Sequence, residues 1–347
     1  MSRVPAVRLA GGLEVRRVLN GMWQVSGAHG AVDAHKAVEA MQAYVDAGLT
    51  TFDMADIYGP AEEIFGRFNS QRNVKRNMRK SSGKDTAVQS LTKYVPRPEP
   101  MNRKVVEKAL RRSMTRMQVD RLDCVQFHWW DYKDKRYLDA LGHLSDLQQE
   151  GLIQELALTN FDTQRLEEIT SRGIRISSNQ VQYSLIDQRP AAKMEKFCLA
   201  NDIQLLTYGT LAGGLLSERY LGKAEPQSRA ELYTASLSKY KNVINSWGGW
   251  SLFQDLLVAL ETAARRHDCS VASVATRYVL DRPAVGGVIV GCRLGVAGAG
   301  QHIADSLRSC SPDLKLTAED HAAIAAVTQR SRDLMALIGD CGDEYRS

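Results

Sequence analysis

Short apolar runs alternate with amphipathic stretches eight times along this chain, and no other feature restricts its fold as strongly. Candidate strands fall at Arg17–Gly21, Thr50–Asp53, Val88–Lys93, Cys124–His128, Glu155–Thr159, Asn179–Gln182, Gln204–Tyr208 and Gly287–Val290. Segments of helical character separate them: Asp33–Ala47, Ala61–Phe68, Asn102–Met117, Tyr137–Glu150, Thr163–Ser171, Ala191–Ala200, Leu252–His267 and, in addition, Val271–Leu280. Asn102 stands where an N-cap belongs, and Gly48 and Gly151 stand where helices stop. This alternation is the pattern of βα units around a parallel sheet. Eight such units close into a barrel. The rival is an open doubly wound sheet, which would carry G-x-G-x-x-G after its first strand. The run from Gly21 to Gly30 does not supply it. The expected fold is therefore α/β, a single (β/α)8 TIM barrel domain over residues 1–347. An N-terminal β-hairpin is expected over Val7–Val15, turning at Gly11-Gly12, with an extra C-terminal helix at Ala318–Ile338.

Two segments interrupt the rhythm. Six of the 45 basic residues but one of the 40 acidic ones lie between Arg72 and Asp85, so the rest of the chain is neutral and the net charge of +5 is local to this stretch. It forms a basic insertion over 69–87, after the second strand. Basic stretches can bind nucleic acid or anionic lipid, but no aromatic residues interleave these charges for base stacking. A solvated surface loop or short helix is the favoured reading, with no nucleic-acid and no membrane partner. The second interruption is the long connection 209–250, after the seventh strand. It carries Trp247, Trp250 and several tyrosines, and reads as a packed lid over a ligand rather than a tail.

Composition narrows the class further. Hydrophobic residues make up 44% and charged residues 24%, as in an ordinary globular protein. No apolar run approaches the length of a bilayer span, and the N-terminus lacks a signal-peptide core. The six cysteines are scattered, with no C-x-x-C pair, which suits reduced thiols rather than a disulfide framework or a zinc site. A soluble cytoplasmic or organellar protein is expected. The sequence carries no signal that sets its oligomeric state.

In a barrel of this kind, chemistry sits at the C-terminal ends of the strands. Read in order, these ends carry Asp53 with Tyr58 just beyond, Lys93, His128, Thr159-Asn160, Gln180 with Gln182, and Tyr208. Any one of them has an ordinary explanation: a helix cap for Asp53, a surface lysine for Lys93, a core histidine for His128. Polar groups at six successive strand ends converge on one cavity. No serine or cysteine nucleophile stands among them, and the carboxylate pair of glycoside hydrolysis is missing. A phenol with a pKa of about 10 is a poor acid at neutral pH, but a neighbouring ammonium lowers that value. A carboxylate holds the lysine charged and in place, and a histidine orients a substrate oxygen. Such a set delivers a proton to a developing alkoxide. The electrons must come from a cofactor.

The stretch Thr51-Phe-Asp-Met-Ala-Asp-Ile-Tyr-Gly59, with Asp53 and Tyr58 five residues apart, resembles the signature of the aldo-keto reductases. The runs Thr92-Lys93-Tyr94-Val95, Gln126-Phe-His128-Trp129, Glu155-Leu-Ala-Leu-Thr-Asn160-Phe, Asn179-Gln180-Val-Gln-Tyr183, Leu206-Thr-Tyr208-Gly-Thr-Leu211 and Val288-Ile-Val-Gly291 are similar to further segments of that family, in the same order. The resemblance implies an NAD(P)H-dependent oxidoreductase interconverting a small-molecule carbonyl and its alcohol. Tyr58 would be the general acid, tuned by Lys93, which Asp53 holds, and His128 would hydrogen-bond the carbonyl. Thr159, Asn160 and Gln180 would bind the nicotinamide carboxamide, with Tyr208 stacked on its ring. Gly209, Leu211 and Gly291 belong to the same cofactor-binding segments, and Trp23 and Trp129 match aromatic positions of the substrate pocket. Alternation lets only one of Trp129 and Trp130 face the cavity, and Trp129 is taken to be that one. The resemblance also implies an alternative, a cofactor-binding regulatory subunit with little turnover.

The chain departs from the family in places. Thr159 stands where the family usually has serine, which keeps the hydroxyl. A Glu-Asn pair is replaced by Ala304-Asp305, and Gln301 stands where NADP-specific members commonly place arginine. Arg293 is the candidate to replace that arginine at the adenosine phosphate, while Asp305 favours NAD. The expectation is NADP(H) preferred, with NAD(H) usable. The cluster Gly295, Gly298, Gly300 reads either as a phosphate loop or as a flexible turn.

Overall fold

The computed structural model describes residues 4–27, 32–79, 87–228, 230–292, 294–295 and 299–346; the side chains of 75–79 and 299–301 lie outside that description. The chain opens with an antiparallel hairpin of β1 (Ala6–Arg8) and β2 (Glu14–Arg16), paired Ala6 to Arg16. Eight parallel strands follow: β3 (Val18–Gly21), β4 (Thr51–Asp53), β5 (Gln89–Tyr94), β6 (Leu122–Phe127), β7 (Ile153–Thr159), β8 (Ser178–Gln182), β9 (Gln204–Tyr208) and β10 (Val285–Gly291). They pair in sequence order, and β10 returns to β3 to close the barrel. The (β/α)8 fold expected from the alternation is thus present, hairpin included.

Period-two alternation divides each strand between two environments. Leu19, Leu91, Cys124, Ala157 and Leu206 fill the barrel interior together with Leu9, Leu13 and Val15 of the hairpin. The hairpin is fastened there by Glu155, whose buried carboxylate accepts the Gly11 and Leu13 N–H groups, each at 2.9 Å. Outward residues meet the helices. Phe52, for example, lies 6.1 and 6.2 Å from the rings of Phe65 and Phe68 on the next helix. Side-chain oxygens of Asn102, Asp162, Thr234, Ser270 and Thr317 cap five helix starts, each satisfying an N–H that would otherwise lack a partner.

Three expectations about segments need correction. The second helix runs Ala61–Arg79, not Ala61–Phe68, so the insertion begins as a continuation of that helix; residues 80–86 lie outside the described residues. The apolar periodicity ends at Phe68 because burial ends there, whereas the glutamine, arginine, lysine and methionine that follow carry the helix on by propensity. The connection 209–250 is not one long loop. After two short 3-10 turns it forms a helix, Ala235–Trp247, whose Leu237, Tyr240, Ile244 and Trp247 join a second core with Leu185, Leu215 and Leu216. The C-terminal helix is two pieces, Ala318–Thr328 and Leu334–Ile338. Arg332 N–H donates to Trp247 O at 2.7 Å, and Asp333 caps the second piece, so tertiary contact and a new cap interrupt the run.

Candidate active site

The strand ends converge as the alternation requires. Asp53 closes β4 and Lys93 lies on β5; both are buried, and Lys93 Nζ donates to Asp53 Oδ1 and, at 3.3 Å, to Met54 O. The other carboxylate oxygen of Asp53 accepts from Gln126 Nε2 and Gln180 Nε2, both at 2.7 Å. Gln180 Nε2 also lies 2.5 Å from Gln126 Oε1. The carboxylate is therefore clamped by one ammonium and two amides, with its charge partnered throughout. Gln126 has no assigned role in the sequence reading. It stands two residues before His128 on β6, and the same alternation that turns His128 inward turns it inward too.

The Lys93 ammonium lies 5.1 Å from the centre of the Tyr58 ring. Burial opposes its charge, but Asp53 and Tyr58 more than offset this and hold it above the ordinary lysine value. For Tyr58 the balance runs the other way from the sequence expectation. Burial raises the phenol, Lys93 pulls it down, and the net position stays above the ordinary tyrosine value. Lys93 limits a rise that desolvation causes. The phenol is a neutral proton donor at physiological pH.

His128 follows β6 and is buried. Burial, then the charge of Arg346, depress its pKa to about 4, so the ring is neutral. Its Nδ1 lies 3.3 Å from Thr159 O. A carbonyl oxygen only accepts, which assigns the proton to Nδ1 and leaves a lone pair on Nε2. That Nε2 is buried without a protein partner. A buried polar atom lacking a partner is costly, and this one belongs to a ring packed against Trp130 and Tyr345.

The nicotinamide-side candidates form a directed chain. Lys239, on the helix Ala235–Trp247, can only donate, and it donates to Tyr345 OH. Tyr345 OH lies 3.0 Å from Tyr208 OH, and Tyr208 OH donates to Asn160 Oδ1 at 2.8 Å. Thr159 Oγ1 donates to Gln180 O at 3.2 Å. Among the described residues, Asn160 Nδ2 and Gln180 Oε1 make no hydrogen bond. One donor and one acceptor are what a primary carboxamide requires, so these residues fit a nicotinamide. Gly209 turns the chain after Tyr208 at φ 72°, and a Cβ there would lie 2.3 Å from Tyr240 OH. Conformation and space both demand glycine.

Other candidates are placed differently. Trp129 does not face the cavity. It is buried against Phe127 and Tyr137, at 5.9 and 6.4 Å, and its Nε1 donates to Asp131 O and Asp134 O. Trp130 lies edge-on to His128 at 4.4 Å and is 42% exposed. Parity explains the correction, because Trp130 shares the face of Gln126 and His128, whereas Trp129 shares that of Phe127. Trp23 lies in a half-buried 3-10 turn, Trp23–Ser26, directly after β3. Leu211 lies in the turn after β9 and packs on the second core. Gly291 ends β10, where a Cβ would meet Gln24 Nε2 at 2.0 Å. Asp305 accepts from Ser270 Oγ at 2.8 Å and so supports a helix start. Arg293 lies outside the described residues, as does the side chain of Gln301.

The C-terminal segment gave no local signal. Buried Arg189, paired with Asp187, donates to Asp340 O at 3.1 Å and Glu344 Oε2 at 3.0 Å. Arg346 donates to Trp129 O at 2.8 Å and lies 3.9 Å above the Tyr132 ring. These anchors bring the Tyr345 ring to 6.2 Å from that of His128.

The pattern of the Aldo/keto reductase family matches residues 17–329. The chain is 25% identical over 254 residues to the chloroplastic pyridoxal reductase of Arabidopsis thaliana, a match covering 70% of this chain and 65% of that protein. It is 27% identical over 338 residues to a probable voltage-gated potassium channel subunit beta of Oryza sativa, covering 92% and 94%. Among solved structures, an aldo-keto reductase from Klebsiella pneumoniae in complex with NADPH superposes with a TM-score of 0.68 at 21% identity, covering 94% of this chain and 96% of that one. No helix of the described residues is long and apolar enough to cross a membrane.

Proposed function

The chain belongs to the aldo/keto reductase family, and from that premise we propose that it interconverts a carbonyl and an alcohol using NADP(H), with NAD(H) usable. The observation that carries the reading is the buried Asp53–Lys93 pair beside the neutral Tyr58 phenol, with a buried His128 Nε2 that lacks a partner at the next strand end. Asn160 and Gln180 would hold the carboxamide, Tyr208 would pack on the ring, and Thr159 fixes the strand end that presents them. When bound, the cofactor supplies the hydride.

Tyr58 donates its proton to the oxygen of the reduced carbonyl. Lys93 stabilises the phenolate left behind, and Asp53 keeps Lys93 charged and aimed. His128 has a different part from the one the resemblance implies. With its proton on Nδ1, its Nε2 accepts a hydrogen bond, so it orients the hydroxyl of the alcohol rather than donating to the carbonyl. Trp130 supplies the exposed aromatic wall beside it.

The test follows absorbance at the nicotinamide band with NADPH or NADH against aldehydes and ketones. Tyr58→Phe should lower turnover by about 10²-fold or more, while fluorescence titration gives near-wild-type cofactor affinity. Undiminished turnover would remove Tyr58 from the mechanism. The likeness to a channel subunit favours a second reading, a cofactor-binding subunit. That reading requires tight NADPH binding with negligible consumption by every aldehyde tried.

A further inference from the structure

Among the described residues three lysines are drawn into the protein, and two of them have the partners a desolvated ammonium requires. Lys93 has Asp53. Lys241 has Glu225 Oε1 and Asn245 Oδ1, each at 2.6 Å. Lys239, two residues earlier on the same helix, differs: among the described residues no carboxylate lies within ion-pair distance of it. Its Nζ instead donates to Tyr345 OH and lies 5.3, 5.3 and 4.8 Å from the ring centres of Tyr208, Tyr240 and Tyr345. Burial opposes its charge, but the oxygens of Tyr240 and Tyr345 and the more distant Glu344 more than offset that, so the ammonium persists at every physiological pH. A phenol and three ring faces compensate an ammonium less fully than a carboxylate does.

Its place in the site indicates what completes it. The Tyr345 ring bridges Lys239 to the catalytic cavity, 4.8 Å from the ammonium and 6.2 Å from the His128 ring. The Tyr345 ring itself fills the interval between the His128 ring and Lys239, so a substrate ring would reach both by taking its place. A substrate of that size, with the hydroxyl of its alcohol form donating to His128 Nε2, would bring a substituent at its far end to the ammonium. Trp130, edge-on to His128, gives such a ring an aromatic wall.

We propose that Lys239 is an anion-recognition residue of the carbonyl pocket, selecting substrates that carry a carboxylate or phosphate group about one ring's length from the reacting carbonyl. Tyr345 is its partner when no acid group is bound. The proposal rests on the carbonyl-reductase reading for the position of the reacting group. An anionic oxygen of the cofactor could satisfy the same ammonium, and the experiment separates the two sources.

Protein loaded with NADP is titrated, by tryptophan fluorescence, with 4-(hydroxymethyl)benzoate and with its neutral counterpart 4-(hydroxymethyl)benzamide. Turnover of 4-formylbenzoate and 4-formylbenzamide with NADPH is measured in parallel. The expected result is a preference for the acid of tenfold or more in Kd and in kcat/KM. Lys239→Met should bring both ratios to about one, and Lys239→Arg should retain most of them. If the methionine variant is insoluble, Lys239→Gln, which keeps a donor to Tyr345, should give the same collapse. Three results would overturn the assignment: no acid preference in the wild type, a preference that survives loss of the cation, or a Lys239 variant that loses NADP affinity while keeping the acid ratio. A Lys239-dependent binding preference without turnover of either aldehyde would leave the anion site standing and defeat the reductase reading instead.

Discussion

Replacing Lys93 with methionine separates the electrostatic role of this residue from its structural one. The exchange removes the ammonium from Asp53 Oδ1 but leaves Oδ2 with its two amide donors, Gln126 and Gln180, at 2.7 Å. Breaking a buried ion pair from one side costs about 3–5 kcal/mol. With half the carboxylate still partnered, the lower end applies, about 3 kcal/mol. In a chain of 347 residues that corresponds to a loss of roughly 4 °C in Tm, so the variant should fold. Catalysis should suffer more. Burial already holds Tyr58 above the ordinary tyrosine value, and Lys93 is the group that pulls it down. Without it the phenol rises further and the phenolate left by proton transfer loses its counter-charge, which at the scale of acid–base assistance costs about 10²- to 10⁴-fold in kcat. The sign is specific. In the proposed mechanism alcohol oxidation needs Tyr58 as phenolate, so its rate-versus-pH limb should move to higher pH, whereas reduction should gain no new acidic limb. The assay is kcat against pH in both directions, with Tm measured alongside. A variant with a tenfold slower kcat but an unmoved oxidation limb would refute the argument, because the lysine would then act only as a prop.

Two further perturbations test other parts of the site. His128 is held neutral with a pKa of about 4 by burial and Arg346, below its unfolded value of about 6.5. The unfolded chain therefore binds the extra proton first, and stability present above about pH 6.5 should fall, by an order of 3 kcal/mol, as pH drops toward about 4. Denaturant titrations of wild type and His128→Gln across that window should diverge, and parallel curves would mean the ring is not desolvated in solution. Gly342, at φ 90°, leaves no room for a side chain, since a Cβ would lie 2.0 Å from Asn160 O. Gly342→Ala should cost about 1–2 kcal/mol in backbone strain alone and release the Tyr345–Arg346 segment, seen as faster proteolysis at the C-terminus. Unchanged Tm and protection would show that the segment has another way to sit.

The barrel and most of its candidate active site were legible along the chain because both depend on short-range regularities. Strand–helix alternation has a period that can be counted, and the barrel's geometry sends every strand end to one face. Asp53, Tyr58, Lys93 and His128 could therefore be grouped before any contact was known. Gln126 was within reach of the same rule, as was Trp130. Parity past β6 places Trp130 with His128 and Trp129 with Phe127. The hydrophobic period stops at Phe68 and within 209–250, which is why the first insertion reads from sequence as a surface loop or short helix and the second as one long connection.

The rest depended on free-energy balances and contacts that no local pattern encodes. Whether Lys93 lowers the Tyr58 pKa or only limits its rise depends on burial by residues from many segments. The tautomer of His128 depends on a carbonyl of the neighbouring strand, 31 residues away. Lys239 and Tyr345 meet across 106 residues because Arg189 and Arg346 tie the C-terminal segment over the strand ends. The sequence by itself determined the barrel and which side chains stand at its rim, because backbone geometry repeats. Only the tertiary structure decided their protonation, their hydrogen-bond directions and the cation at the far side of the cavity, because desolvation and long-range contact exist only in the folded chain.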